Sequence, residues 1–221
     1  MGIEKYFHVL KNSRILENIP EKDYINALKY LRATIRRFRK GEILLHIGSE
    51  VRHSGLVLEG IIECAYQDSD FNKYNMNHFT AGELFAETLA LSGVNDSPMH
   101  ISALTECAVM LLDFSVLCDE NARYENAMQI AVNLLRIISA KNFFMNQKVR
   151  ILSRKDLRRK IIAYLQSLAH DIDGKRKLPF SKTALSEFLC VNRTALSREL
   201  RNMIHDGIIS MNGRDFILLK Q

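Results

Sequence analysis

The stretch "SKTALSEFLCVNRTALSRELRNMIHDGIISMNGRDFILL" runs from Ser181 to Leu219. Ser181 is a good N-cap ahead of an apolar-periodic run that lasts to about Leu189. Cys190 to Asn192 make a turn, and Asn192 begins a second helix that ends near Asp206, with Gly207 as its C-terminal stop. At 3.6 residues per turn, Ala195, Leu196, Leu200, Met203 and Ile204 share the inward half of that helix. Thr194, Ser197, Arg198, Arg201 and Asn202 point outward, and Arg193 lies at the edge of the first turn. "IISMNGRDFILL" then reads as two short strands joined by Asn212-Gly213, a dipeptide that accepts positive φ at both centres of a tight hairpin.

Two helices and a hairpin in this order make a winged helix-turn-helix. Its outward face suits the major groove of DNA, because arginine pairs bidentately with guanine while hydroxyls and a helix N-terminus suit phosphate oxygens. The residues expected to contact DNA are Ser181, Lys182, Thr183, Asn192, Arg193, Thr194, Ser197, Arg198 and Arg201, with Arg214 carried by the wing.

Charge supports the same partner. From Arg154 to the end the chain has 14 Lys and Arg against 7 Asp and Glu; the preceding residues are nearly balanced. Basicity confined to the last third points to a polyanion met by that part alone. The four cysteines, Cys64, Cys107, Cys118 and Cys190, are widely spaced and form no metal or redox motif; they read as reduced, mostly buried thiols. No metal or cofactor is identified. No run approaches a membrane span, and "MGIEKYFHVL" has no secretion-signal core, so a cytoplasmic location without a membrane partner is expected.

Upstream, the pattern changes twice. Tyr6 to Tyr30 reads as short helices. From Thr34 to Asp113, short apolar runs are cut by turns at Gly41, Gly48, Gly60 and Gly82, the signature of an antiparallel sandwich or barrel. From Tyr124 to Leu152 no Gly or Pro occurs and the helical period returns. Two apolar series run along that segment. Ile130, Ile137, Phe144 and Ile151 form one, with Leu134 beside it and Lys141 on the same stripe. Ala131, Ile138, Met145 and Leu152 form the other, with Leu135 and Val149 beside it. One face covers the β domain and the other needs a partner, which suggests a coiled-coil dimer. Ile130, Leu134, Ile137, Lys141 and Phe144 are the expected dimer-helix residues. The expected fold class is α+β: an N-terminal antiparallel β-roll, jelly-roll-like, joined by a long dimerisation helix to a C-terminal winged helix-turn-helix. The divisions are 1–122, 123–153 and 154–221, with the boundary near Ile151 to Lys155.

Nearly the whole chain resembles the CRP/FNR family of bacterial transcription regulators. "RKGEILLHIGSEVRHSGLVLEGIIECAYQDSD" resembles the start of that family's cyclic-nucleotide-binding-like β-roll, "TAGELFAETLAL" its phosphate-binding cassette, and "VNRTALSREL" its recognition helix. In that helix Arg193, Ser197 and Arg198 match the family's R-x-x-x-[SG]-R pattern. The resemblance implies a homodimer joined through the long helix and bound to two-fold symmetric promoter DNA, with RNA polymerase as a further partner. It implies an effector pocket at Phe85, Ala86, Glu87, Thr88, Ser97, Pro98 and Met99.

The departures bear on the effector. Nucleotide-binding members follow a ribose-binding Glu with an Arg-Ser or Arg-Thr pair for the cyclic phosphate. Here Glu87 is present, but the pair falls at Ser97-Pro98. A phosphate there would be buried without countercharge, which is costly. The expectation is a regulator whose β-roll senses something other than a cyclic nucleotide, or nothing; a cAMP- or cGMP-responsive regulator is the alternative. Iron–sulfur members use an N-terminal cysteine cluster, absent here. Thr194 stands where several members have a base-reading Glu, and Cys190 replaces a frequent turn glycine, which strains that turn. A metal-dependent cupin-type enzyme with a basic appendage is a more distant reading; it needs H-x-H on a strand, and His46, His53, His78 and His100 supply none.

Overall fold

A computed structural model describes residues 2–67, 73–94, 96–168, 171, 174–177, 181–213 and 215–219, with side chains left out of account at 67 and 73–76. The chain divides into two compact units, residues 1–141 and 142–221.

In the first unit, α1 (Phe7–Asn12) and α2 (Tyr24–Tyr30) alternate with 3-10 turns at Ile3–Tyr6, Arg14–Leu16 and Glu21–Asp23. Eight strands follow: β1 (Thr34–Phe38), β2 (Ile43–Leu45), β3 (Ser54–Glu59), β4 (Ile62–Gln67), β5 (Lys73–Phe79), β6 (Leu84–Phe85), β7 (His100–Ala103) and β8 (Cys107–Leu112). The short helix α3 (Glu87–Ser92) sits between β6 and β7. The strands form two antiparallel four-stranded sheets, ordered β1-β8-β3-β6 and β2-β7-β4-β5. Alternation sorts their side chains. Ile62 and Cys64 on β4 and Ile101 and Ala103 on β7 enter the core, while Glu63 and Ser102 take the opposite phase. Close approach dictates one residue: a Cβ on Gly55 would run into the Phe85 ring, so glycine is what lets β6 pair with β3 there.

The long helix α4 (Ala127–Leu152) spans the division between the units. Ile130, Leu134 and Ile137 are buried in the first unit's own core with Leu10, Leu28, Leu56 and Met110. Asn133 is buried beside them and donates to the carbonyls of Ile15 and Glu17 at 3.1 and 2.7 Å. This corrects the dimer stripe expected on Ile130, Leu134 and Ile137: a side chain that seals its own domain is not free for a second copy. In that part of α4 the exposed apolar residues are Met128 and Leu135. Lys141, on the same stripe as Ile137, also turns inward.

In the second unit, the rest of α4 precedes α5 (Leu157–Ser167), β9 (Lys175–Lys177), α6 (Lys182–Phe188), α7 (Arg193–His205), β10 (Ile209–Asn212) and β11 (Asp215–Leu218). Asp156 caps α5 by accepting from the Arg159 amide at 2.8 Å. The core gathers Ile151, Ile161, Tyr164, Leu165, Leu185, Leu189, Leu196, Leu200, Met203, Ile209 and Phe216. Ile151 thus belongs to this unit, and the division falls about two and a half helical turns ahead of the Ile151–Lys155 boundary read from the sequence. Phe144, expected on the dimer seam, is half exposed, its ring 6.1 Å from that of Phe188.

Two details of the wing differ from expectation. "KRK" at 175–177, where the sequence pattern predicts no strand, is a third strand beside β11, giving the order β10-β11-β9. Asn212 pairs with Asp215, so it closes the strand, and Gly213, at φ +61°, follows it in the turn. Arg214 itself lies outside the described residues. No described helix is long and apolar enough to cross a membrane.

Candidate functional site

The recognition element is built by two helix starts and one tight turn. Ser181 accepts from the Ala184 amide at 3.2 Å and Asn192 from the Thr194 amide at 2.7 Å, so each side-chain oxygen caps its helix. The turn between α6 and α7 is a Schellman motif: the Val191 amide reaches the Ser186 carbonyl and the Cys190 amide the Glu187 carbonyl. The residue in left-handed conformation there is Cys190, at φ +53°. The same motif ends α7 through Ile208 to Met203 and Gly207 to Ile204, with Gly207 at φ +66°. A glycine tolerates that conformation at no steric cost; a Cβ-bearing residue such as cysteine does not.

On α7, Leu196, Leu200 and Met203 are buried as expected, whereas Ile204, assigned inward, is exposed. Arg193, Thr194, Arg198 and Arg201 are exposed and Ser197 is half buried. Lys182 and Thr183 are exposed at the start of α6. Arg201 leans back on the Ser197 carbonyl at 3.4 Å. Among the described residues, Arg193 and Arg198 make no hydrogen bond or ion pair. The acids nearby are occupied instead: Arg158 of α5 pairs with Glu199 at 2.5 Å and with Asp206 at 2.8 Å. Hydrogen bonds from Arg158 and then His205 hold the Asp206 carboxyl below its usual range. The positive outer face is therefore not neutralised by its own helix.

The cassette in the first unit is differently furnished. Phe85 is buried; Ala86 adopts a left-handed conformation at φ +59°, an uncommon state for a residue with a side chain. Glu87 follows as the first residue of α3 and is 2% exposed. The Lys141 ammonium donates to Glu87 Oε1 at 2.8 Å and to the Leu84 carbonyl at 2.6 Å, and lies 5.0 Å from the Phe79 ring centroid. Thr88 is exposed, its hydroxyl 3.4 Å from the same Glu87 oxygen. Glu87 Oε2 is buried with no hydrogen-bond partner among the described residues. Ser97 is buried, donating to the Met99 carbonyl at 2.7 Å and accepting from the Met99 amide at 3.3 Å. Pro98 is exposed, and Met99 touches Cys64, whose thiol burial pushes up to about 11.

Of the expected pocket residues, Phe85, Ala86 and Met99 pack on one core, and a group not assigned to them, Lys141, takes the Glu87 carboxylate. The signal was present in the sequence: a lysine at the i+11 position of the inward stripe Ile130, Leu134, Ile137 needs a buried anion. Of the four thiols, Cys64 and Cys107 are buried and Cys118 and Cys190 exposed, against the reading of mostly buried cysteines.

A β domain with a cassette, a long helix and a winged helix-turn-helix define the class of one-chain transcription regulators with a sensor-type module. A family model described as a cyclic nucleotide-binding domain matches residues 35–119, and one described as a Crp-like helix-turn-helix domain matches residues 159–221. The chain belongs to the CRP/FNR family of transcription regulators. No curated protein gives a sequence match. Among solved structures, the c-di-GMP responsive global regulator CLP of Xanthomonas campestris aligns at 16% identity and a TM-score of 0.62, covering 89% of this chain and 98% of its own. FixK2 of Bradyrhizobium japonicum aligns at 19% and 0.54, covering 85% and 93%. The catabolite activator protein of Thermus thermophilus aligns at 15% and 0.55, covering 93% of each chain. At these identities the likeness is one of fold.

Proposed function

We propose that this chain is a sequence-specific DNA-binding transcription regulator that acts as a homodimer in the cytoplasm of a bacterial cell, without a cyclic nucleotide as effector. The observation that carries the DNA reading is the outer face of α7. Two arginines stand exposed and uncommitted beside Thr194 and Ser197, while the nearby acids are held by Arg158. In the major groove Arg193 and Arg198 read base edges, and Ser181, Lys182 and Thr183 meet phosphates, with Arg214 reaching the backbone from the wing. Two copies associate along the α4 residues left exposed, Met128 and Leu135 one heptad apart and Val149 two heptads further on, together with Phe143 and Phe144. RNA polymerase is the partner through which such a complex alters transcription.

The effector reading rests on charge. The position where a cyclic phosphate needs arginine holds Ser97, whose hydroxyl is committed to Met99. Promoter fragments selected from the source genome, titrated in a gel shift, test the DNA reading. Arg193→Ala and Arg198→Ala each lose about 1–3 kcal/mol at the selected site and relax its sequence preference. Unchanged affinity in both variants contradicts the assignment.

A further inference from the structure

We propose that Lys141 is a built-in effector: its ammonium takes the cassette carboxylate and fixes α4 to the β domain, the coupling that a bound small molecule would otherwise provide. The inference deepens the regulator reading above and rests on it.

Three observations carry it. First, the contact is specific. Lys141 Nζ reaches both Glu87 Oε1 at 2.8 Å and the Leu84 carbonyl at 2.6 Å, so it joins the first residue of β6 to the first residue of α3. Second, the carboxylate depends on it. Glu87 is 2% exposed and its other oxygen has no partner among the described residues, so Lys141 supplies the countercharge that a buried anion requires. Lys141 also lies 5.0 Å from the Phe79 ring centroid, where the ring face favours a cation. Third, the position is strategic. Ile130, Leu134 and Ile137 hold the preceding turns of α4 by apolar packing, and Lys141 is the last residue of the first unit before the chain passes to the second at Asn142. The ion pair therefore sets where α4 stops being held by the sensor unit. A ligand that claims Glu87 has to displace the ammonium, and displacement frees the final turn of α4 in that unit.

The test uses the full-length protein in two measurements. Hydrogen exchange of residues 84–92 and 134–141, without DNA, reads the clamp itself. Promoter affinity reads its consequence. Lys141→Met is expected to raise exchange in both segments and to weaken promoter binding, each by about tenfold. Lys141→Arg keeps the charge and stays near wild type. Because Lys141→Met strands a buried carboxylate, the pair Lys141→Met with Glu87→Gln is measured too. Removing both charges restores the fold, but promoter binding stays weakened. Wild-type exchange and wild-type affinity in both Lys141→Met and the double variant overturn the proposal. So does cAMP binding to the wild type that leaves exchange at 134–141 unchanged, since Glu87 would then serve a ligand beside the lysine. A wild-type protein that ignores promoter DNA refutes the regulator reading, while the exchange data still judge the clamp.

Discussion

On α7, Arg193 and Arg198 stand in water with no partner on the described chain; in the cassette, Glu87 is sealed from water and held by Lys141. The two sites obey one rule under different solvation. An exposed cation costs little to leave unpaired, so α7 keeps its charges available for an outside anion. A buried carboxylate has to be compensated within the fold. The outer face of α7 is left open to an outside anion, while the cassette carboxylate is satisfied by the chain itself.

The strongest way to break that contrast is to remove the scaffold under the exposed face. Leu196 is fully buried beneath it, and Leu196→Ala is expected to cost the second unit about 2–5 kcal/mol, seen as an earlier thermal transition and lost promoter binding. An unfolding transition of residues 1–141 that persists in the same scan keeps the two units distinct. On the cassette side, Gly55→Ala drives a methyl into the Phe85 ring and is expected to cost about 1–3 kcal/mol, with faster exchange at 84–92. Smaller still is Cys190→Gly. It relieves a left-handed cysteine at φ +53° and stabilises the second unit by about 1 kcal/mol in denaturant melts.

Chemical probes sharpen the same distinction between buried and exposed groups. A thiol reagent at neutral pH labels Cys118 and Cys190, while Cys64, buried and pushed up to about 11, stays silent until the protein unfolds. The Arg158–Asp206 pair gives the smallest signal. Asp206 titrates below its ordinary value in the folded state, so its contribution is present above the usual carboxylate range and is lost as pH falls through the lowered value. The contact between α5 and α7 is expected to loosen only in acid, below about pH 4, as read by exchange near Arg158.

Much of this architecture was legible because it rests on local rules. Glycine-cut apolar runs gave the strands from Thr34 to Leu112, and Ser181, Asn192 and Gly207 marked helix ends where the structure has them. What stayed hidden depends on partners distant in sequence. Lys175–Lys177 has no apolar alternation, and only pairing with β11 makes it a strand. The wing turn slipped by one residue because Asn212 joins the ladder opposite Asp215. Two apolar series on α4 look equally eligible as a dimer seam; contact with Leu10, Leu56 and Met110 decides that Ile130, Leu134 and Ile137 face inward. Lys141 shares an apolar stripe in the sequence, and only the fold places Glu87 opposite it.

Fluorescence anisotropy of a selected promoter duplex, titrated with purified protein in the absence and presence of saturating cAMP and cGMP, tests the central claim most directly. The account predicts sequence-specific, salt-sensitive binding with no nucleotide added and the same affinity when either is present. Binding that appears only with a cyclic nucleotide, or that ignores sequence, contradicts it.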